Sequence, residues 1–354
     1  MLKIALRFTQ IFDREALYKA MIVLLPLFTA AMISGDAMWL QASLVTVSAL
    51  IAVDRSGMAP AGVLLHGLSI TAGFTALVLS SASPAAFVAC TTAIASASVL
   101  VTAQGEELRS VGNFTFIPSL YLACETVDRA DGRRLLHHAL VFLPYLASGI
   151  VPVVLLSAIE HRVRREPGAG YAKHFAKILQ GARFTSPVAY WETTVTVILA
   201  VSVTAVIVER FDIEHGQWVI WSAASVVTGD AASACIKFRD RLVGAAVGVP
   251  LGITLGRLVL PHTRFVFDVV ALLAGLTFVA FRRYRVGFGV RCACVALDLV
   301  VTGHSALAAS QRAANVVIGC IIGIVFVVAV HAIAPRALEP QRCTGSARQC
   351  TNIH

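Results

Sequence analysis

A chain of 354 residues with 57% apolar residues, 14% charged residues and a mean hydropathy of +0.79 is too apolar for a soluble globular fold and too rich in aliphatic residues for a disordered one. The formal charge of +9 is scattered between apolar runs and forms no basic patch with interleaved aromatics, so it does not point to nucleic acid. Continuous apolar stretches such as VILAVSVTAVIV (197–208) and VVIGCIIGIVFVVAV (316–330) suit spanning helices and not the alternating strands of a β-barrel.

In chain order, a basic N-terminal stretch precedes the first apolar run, and a second run follows soon after it. This reads as an uncleaved anchor and not a removed signal peptide. The apolar runs predict an all-α, polytopic membrane protein with twelve transmembrane helices. They fall near 19–34, 38–53, 59–80, 84–103, 112–127 and 138–158, then 192–209, 217–234, 242–260, 265–281, 287–303 and 313–334. With the N-terminus inside, the inner segments carry about three times as many Lys and Arg as the outer loops. That bias places both termini in the cytoplasm. Eight cysteines with no repeated CxxC spacing read as small packing residues and not as a disulfide or zinc framework.

The longest polar stretch between spans divides the chain. Residues 1–159 form a first six-helix membrane repeat and 160–191 a basic cytoplasmic linker, in which Phe175, Ile178 and Leu179 sit at the spacing of a short amphipathic helix. Residues 192–335 form a second six-helix repeat, and 336–354 a disordered cytoplasmic tail. GIVPVVLLSAI (149–159) laid on GIVFVVAVHAI (323–333) matches at seven of eleven positions, and Trp39, Ser43 and Val47 fall on Trp218, Ser222 and Val226. Each half holds an even number of spans, so the repeats are parallel, related by an axis along the membrane normal.

Within the second half, HGQWVIWSAASVVTGDAASACIKFRDRLVGAAVGVPLG (215–252) has a Trp-led span, then a cytoplasmic turn with Lys237, Arg239 and Arg241, then a glycine-stepped span. This segment resembles the fusaric-acid-resistance (FUSC) superfamily, which includes bacterial aromatic acid exporters and is similar in build to plant aluminium-activated malate transporters. Many exporters of that family carry a large cytoplasmic domain between halves, where this chain has only its 160–191 linker. Gly244, Gly248, Gly252 and Gly256 line one helix face and favour close helix packing; Gly319 and Gly323 repeat the device on the last span. Lys237, Arg239 and Arg241 read first as a topology signal, and secondly as a gate that collects anions.

Ionisable residues inside spans need a partner or a wet cavity, because a charge at mid-bilayer costs about 2.5–3.5 kcal/mol. Arg291 and Asp298 lie seven apart on the eleventh span, nearly on one face but about 10 Å apart along the axis. Glu125 aligns with Asp298 when the halves are shifted by 173, so an acid recurs in both repeats. Asp268 and Asp230 lie near span ends and read as solvated or paired with a loop arginine. His66, two turns into the third span, is a proton-relay candidate or a packed histidine bonded to a backbone carbonyl. The tandem His137 and His138 lack a third ligand at metal-binding spacing. No GxSxG, HExxH, Walker A or GxGxxG motif is set in its proper context, so neither an enzyme nor an ATP-driven pump is expected, and no cofactor or metal is implied.

The expected function is therefore an inner-membrane exporter of small organic anions, driven by protons. The resemblance narrows the substrate to aromatic carboxylates. Arg291 pairs with the carboxylate, and Asp298 and Glu125 carry protons. The alternatives are a passive organic-anion channel and a non-transporting membrane scaffold. Partners are the lipid bilayer and the anion, with a periplasmic adaptor subunit and further copies of the chain as candidates.

Overall fold

The computed structural model describes residues 11–104, 108–130, 134–164, 187–227, 231–303 and 305–333. Over these the chain is helical, apart from turns and an isolated bridge between Phe12 and Phe281. The first half holds α1 (Arg14–Ser34), α2 (Met38–Ser56), α3 (Pro60–Ser80), α4 (Pro84–Leu100), α5 (Leu108–Arg129) and α6 (Leu135–Arg164). The second holds α7 (Pro187–Phe211), α8 (Gln217–Val226), α9 (Ala231–Leu258), α10 (Arg264–Leu276), α11 (Tyr284–Val301) and α12 (Ala306–Ile333).

Local chemistry sets the ends. The Asp13 carboxylate caps α1 by accepting from the Ala16 N–H at 3.3 Å, and the Thr263 hydroxyl accepts from Val266 N–H at 3.4 Å to open α10. Pro60 and Pro84 begin α3 and α4, where a missing N–H costs nothing. Gly35 and Gly57 end α1 and α2 with φ of 67° and 61°, a left-handed turn that favours glycine.

Each of the twelve expected spans overlaps one helix, but three expectations need correction. The eighth does not run to residue 234: α8 ends at Val226, Val227 is extended, and Ala231 already belongs to α9. The tenth stops at Leu276 and not 281, giving way to turns over 277–280. Lys237, Arg239 and Arg241 do not form a turn but lie within α9, whose helix begins at Ala231. Asp230, the 165–186 part of the linker with its expected amphipathic helix, and the 334–354 tail lie outside the described residues.

By length and composition six helices can cross a membrane: α1, α3, α6, α7, α9 and α12. They are the first, third and sixth of each half. Their apolar faces are uncovered, including Leu140, Val151, Leu155 and Ile159 on α6, Val243, Val247 and Leu251 on α9, and Ile318, Ile321, Val325 and Val328 on α12. Such bare aliphatic faces require a non-aqueous surrounding, and the chain is a multi-pass membrane protein.

The helices pair in the same pattern in each half. In the first, α3 packs on α5 and α6, α2 on α6, α1 on α2, and α4 on α5; in the second, α9 packs on α11 and α12, α8 on α12, α7 on α8, and α10 on α11. Between halves, α4 packs on α7 and α10 on α1. Lys19 ties α1, α2 and α6 at one end, with its ammonium 3.0 Å from Glu15, 3.1 Å from Glu160 and 3.8 Å from Asp54. The apolar core is uneven. One continuous cluster, with Leu24, Leu50, Phe74, Leu120 and Leu146 at its centre, fills the first half and extends to α7 and α8, whereas α9 to α12 hold three small separate clusters.

Candidate anion site

Two of those small clusters border a cavity that is partly open to the outside. One face of α11 forms its floor: Phe288, Arg291, Cys292, Val295, Ala296 and Leu299 recur at helical spacing. Arg312 and Val316 of α12, Arg241 and Val249 of α9, and Trp218 and Trp221 of α8 complete the wall. Three guanidinium groups and three aromatic rings thus converge on one otherwise apolar space.

The glycine seam brings α11 into place. A methyl group built on Gly248 would collide with the carbonyl oxygen of Gly289, and one on Gly252 with that of Ala293; on Gly256 it would lie 2.9 Å from Val300. The two backbones therefore touch along α9 and α11, with packing in place of the hydrophobic drive that lipid removes. A methyl group built on Gly244 would lie 2.8 Å from the Phe288 ring, so the bare glycine leaves room for that ring in the cavity wall. Gly319 and Gly323 bring α12 against the Val219 and Ala223 carbonyls of α8 in the same manner.

Arg291 is held from behind. Its Nε donates to the Thr277 hydroxyl at 3.0 Å and its Nη2 to the Thr277 carbonyl at 3.2 Å, while the guanidinium stacks 3.4 Å from the Phe278 ring centroid. This explains the early end of α10: irregular backbone at membrane depth is tolerated where it is bonded and borders a cavity, and Arg291 satisfies the freed carbonyl. Among the described residues no carboxylate pairs with Arg291.

From Phe278 the rings continue. Phe278 and Trp221 are parallel within 7° at 6.3 Å, Trp221 and Trp218 within 22° at 5.0 Å, and the Arg312 guanidinium lies 5.7 Å from Trp218. Arg241 is 3% exposed and packs 4.7 Å from the Phe288 centroid. It donates to Ser225 Oγ, to the Ser222 carbonyl at 3.4 Å and to Cys320 Sγ at 3.8 Å. Among the described residues no acid pairs with it.

The acids gather at the Arg312 end. Glu125 of α5 accepts from Gln217 Nε2 at 3.3 Å and lies 3.8 Å from Arg312 and 3.5 Å from Arg129. The Asp298 carboxylate lies within electrostatic reach of Arg312, Glu125 and Arg129, and its Oδ1 is buried with no hydrogen-bond partner among the described residues. Glu125 thus borders Arg312 directly, with Asp298 further from it.

The remaining candidates fall elsewhere. Asp268, 1% exposed, is bonded at 2.8 Å by Arg264 one turn earlier on α10. His66 is buried with Nε2 3.3 Å from the Phe114 carbonyl. Lys237 packs 5.8 Å from the Tyr284 ring, and Arg239 is exposed. His137 and His138 touch edge to face, and among the described residues no three His, Cys, Asp or Glu side chains could hold a metal ion.

Arg312, Trp221, Phe278 and Thr277 belong to the site without having been singled out by sequence. Arg312 stands at the border of an apolar run and reads as a loop charge. The one available signal was Glu125, whose carboxylate at membrane depth demands a cation.

The fold defines a multi-pass helical membrane protein. Residues 196–326 match the family model described as fusaric acid resistance protein-like. No curated protein and no solved structure matches the chain.

Proposed function

We propose that this chain exports small organic anions, aromatic carboxylates foremost, across a bacterial inner membrane, with proton coupling through Glu125 and Asp298. The observation that carries this reading is the cavity wall itself, where the rings of Trp218, Trp221 and Phe288 stand with the guanidinium groups of Arg241, Arg291 and Arg312. An aromatic carboxylate needs a flat apolar surface for its ring and a guanidinium for its charge, and the cavity offers both. The family match over 196–326 supports efflux as the process.

The same reading takes the membrane region as twelve spans in two parallel repeats, 1–159 and 192–335, joined by a cytoplasmic linker. Supporting it, equivalent contacts recur at offsets of 173 to 175. Gly73 faces Ser119 as Gly248 faces Cys292, and His66 meets the Phe114 carbonyl where Arg241 meets the Phe288 ring; Gly149 and Gly323, 174 apart, each abut a carbonyl, of Ala42 and Ala223, which are 181 apart. By this register His66 answers to Arg241 and Pro118 to Arg291, so only the second repeat carries the cationic cavity.

The test is benzoate efflux from proteoliposomes. Arg291→Gln is expected to remove most flux while leaving the folded yield intact, and Arg291→Lys to restore part of it, since an ammonium cannot reproduce the guanidinium fork. Wild-type flux in Arg291→Gln would show that this residue only fastens α10 to α11. A wild type that moves no carboxylate would favour the scaffold.

A further inference from the structure

We propose that Arg312 is shared between the transported anion and the carboxylates of Glu125 and Asp298, so that each anion bound in the cavity takes up a proton with it. The inference rests on the anion site above and assigns the sense of its coupling, together with a substrate-binding residue outside the sequence candidates.

Arg312 faces two ways. It lines the cavity beside Trp218, and its Nη2 lies 3.8 Å from Glu125 Oε1, longer than a hydrogen bond. Its Nε is buried with no hydrogen-bond partner among the described residues, as is Asp298 Oδ1. A guanidinium with a spare donor, bordered on one side by a loosely held acid and on the other by space, can turn its donors to an incoming carboxylate. Further polar and charged groups surround it. From α5 come Glu125, Asp128, Arg129 and Tyr121; from α11, Asp298 and Arg291; from α9, Arg241. From α8 there are Gln217 and Trp218, with His215 before them, whose carbonyl accepts from Asn315 of α12 at 3.4 Å. On α7, the Glu192 partner of α12 is joined to His331, many turns away.

Competition for one cation fixes the sign of the linkage. When the anion takes Arg312, the acid it leaves loses a neighbouring positive charge, which favours binding of a proton there. Conversely, protonating either acid frees Arg312 for the anion. Anion and proton therefore favour each other's binding, and they travel together instead of exchanging. A bare monoanion leaving a cell with a negative interior gains about 2.3 kcal/mol per 100 mV, and an accompanying proton cancels that gain. Efflux then follows the anion's own gradient and is opposed by an inward proton gradient.

Calorimetric titration of the purified full-length protein with benzoate at pH 7, in two buffers of different ionisation heat, counts the protons. Benzoate is already ionised there, so any uptake belongs to the protein. We expect between zero and one proton bound per benzoate, most of it lost in Glu125→Gln or Asp298→Asn, with tighter benzoate binding in whichever variant loses it. Arg312→Gln should weaken benzoate at least tenfold and abolish the uptake. Benzoate binding by the wild type with no proton change, or with proton release, overturns the shared arginine while leaving the anion site standing. So does uptake that persists in both acid variants. No benzoate binding at all by the wild type removes the anion site itself. The wild-type count needs no variant to fold.

Discussion

Arg291 and Arg312 close the two ends of one row of aromatic rings: the first lies 3.4 Å from Phe278, the last 5.7 Å from Trp218, and Trp221 joins the two. Two cations on opposite ends of one π surface keep apart while each is stabilised by a ring face.

If that surface selects substrate rings, Phe278→Leu should lower transport of benzoate relative to hexanoate by roughly 2- to 10-fold, the range that an aromatic contact of about 0.5–1.5 kcal/mol implies. Leucine preserves apolar bulk, so folded yield should be unchanged. An unaltered ratio in competition assays would make the row of rings purely structural.

The glycine seam makes a prediction about folding. Gly248→Leu should lower the yield of monodisperse protein in detergent severely, because its side chain would displace the Gly289 carbonyl. Val247→Leu, one position away on the exposed face, should stay within about 0.5 kcal/mol of wild type. Equal behaviour of the two in size-exclusion chromatography and thermal melts would contradict the seam.

Removing the arginine beside Asp268 tests the buried pair on α10. Arg264→Ala leaves a carboxylate at 1% exposure without its bond and should cost about 1–3 kcal/mol, whereas Arg264→Ala combined with Asp268→Asn should recover part of the loss. A melting temperature unaffected by Arg264→Ala would show that water already serves Asp268.

The proposed topology is checked by labelling. With both termini cytoplasmic, Cys343 and Cys350 should resist an impermeant thiol reagent applied to intact cells, and a cysteine replacing Arg210 should react. Tail labelling from outside reverses the arrangement.

How much of this was legible in the sequence follows from what each signal depends on. Helix existence depends on local apolar runs, and all twelve runs mark helices. Where a helix breaks within an apolar run is another matter. The tenth run continues through Phe278, Val279 and Ala280, yet the helix ends at Leu276 because Arg291, from another helix, takes the Thr277 carbonyl. Likewise the four-residue glycine spacing announced a packing face but not its partner α11. Arg241 looked like a loop charge since the run that buries it starts just after it, and Arg312 looked the same at the border of α12. Burial of such residues is decided by neighbours distant in the chain.

The division of the apolar core has a mechanical consequence. Local opening is cheapest where few apolar contacts must break together, and α9 to α12 rest on three small clusters, two of them bordering a cavity, whereas the first half shares one continuous core. The first half is thus the stiff frame and the second the compliant part. Amide exchange should be fastest near the cavity, in α10 and the turns after it, and slowest in α2, α3 and α5.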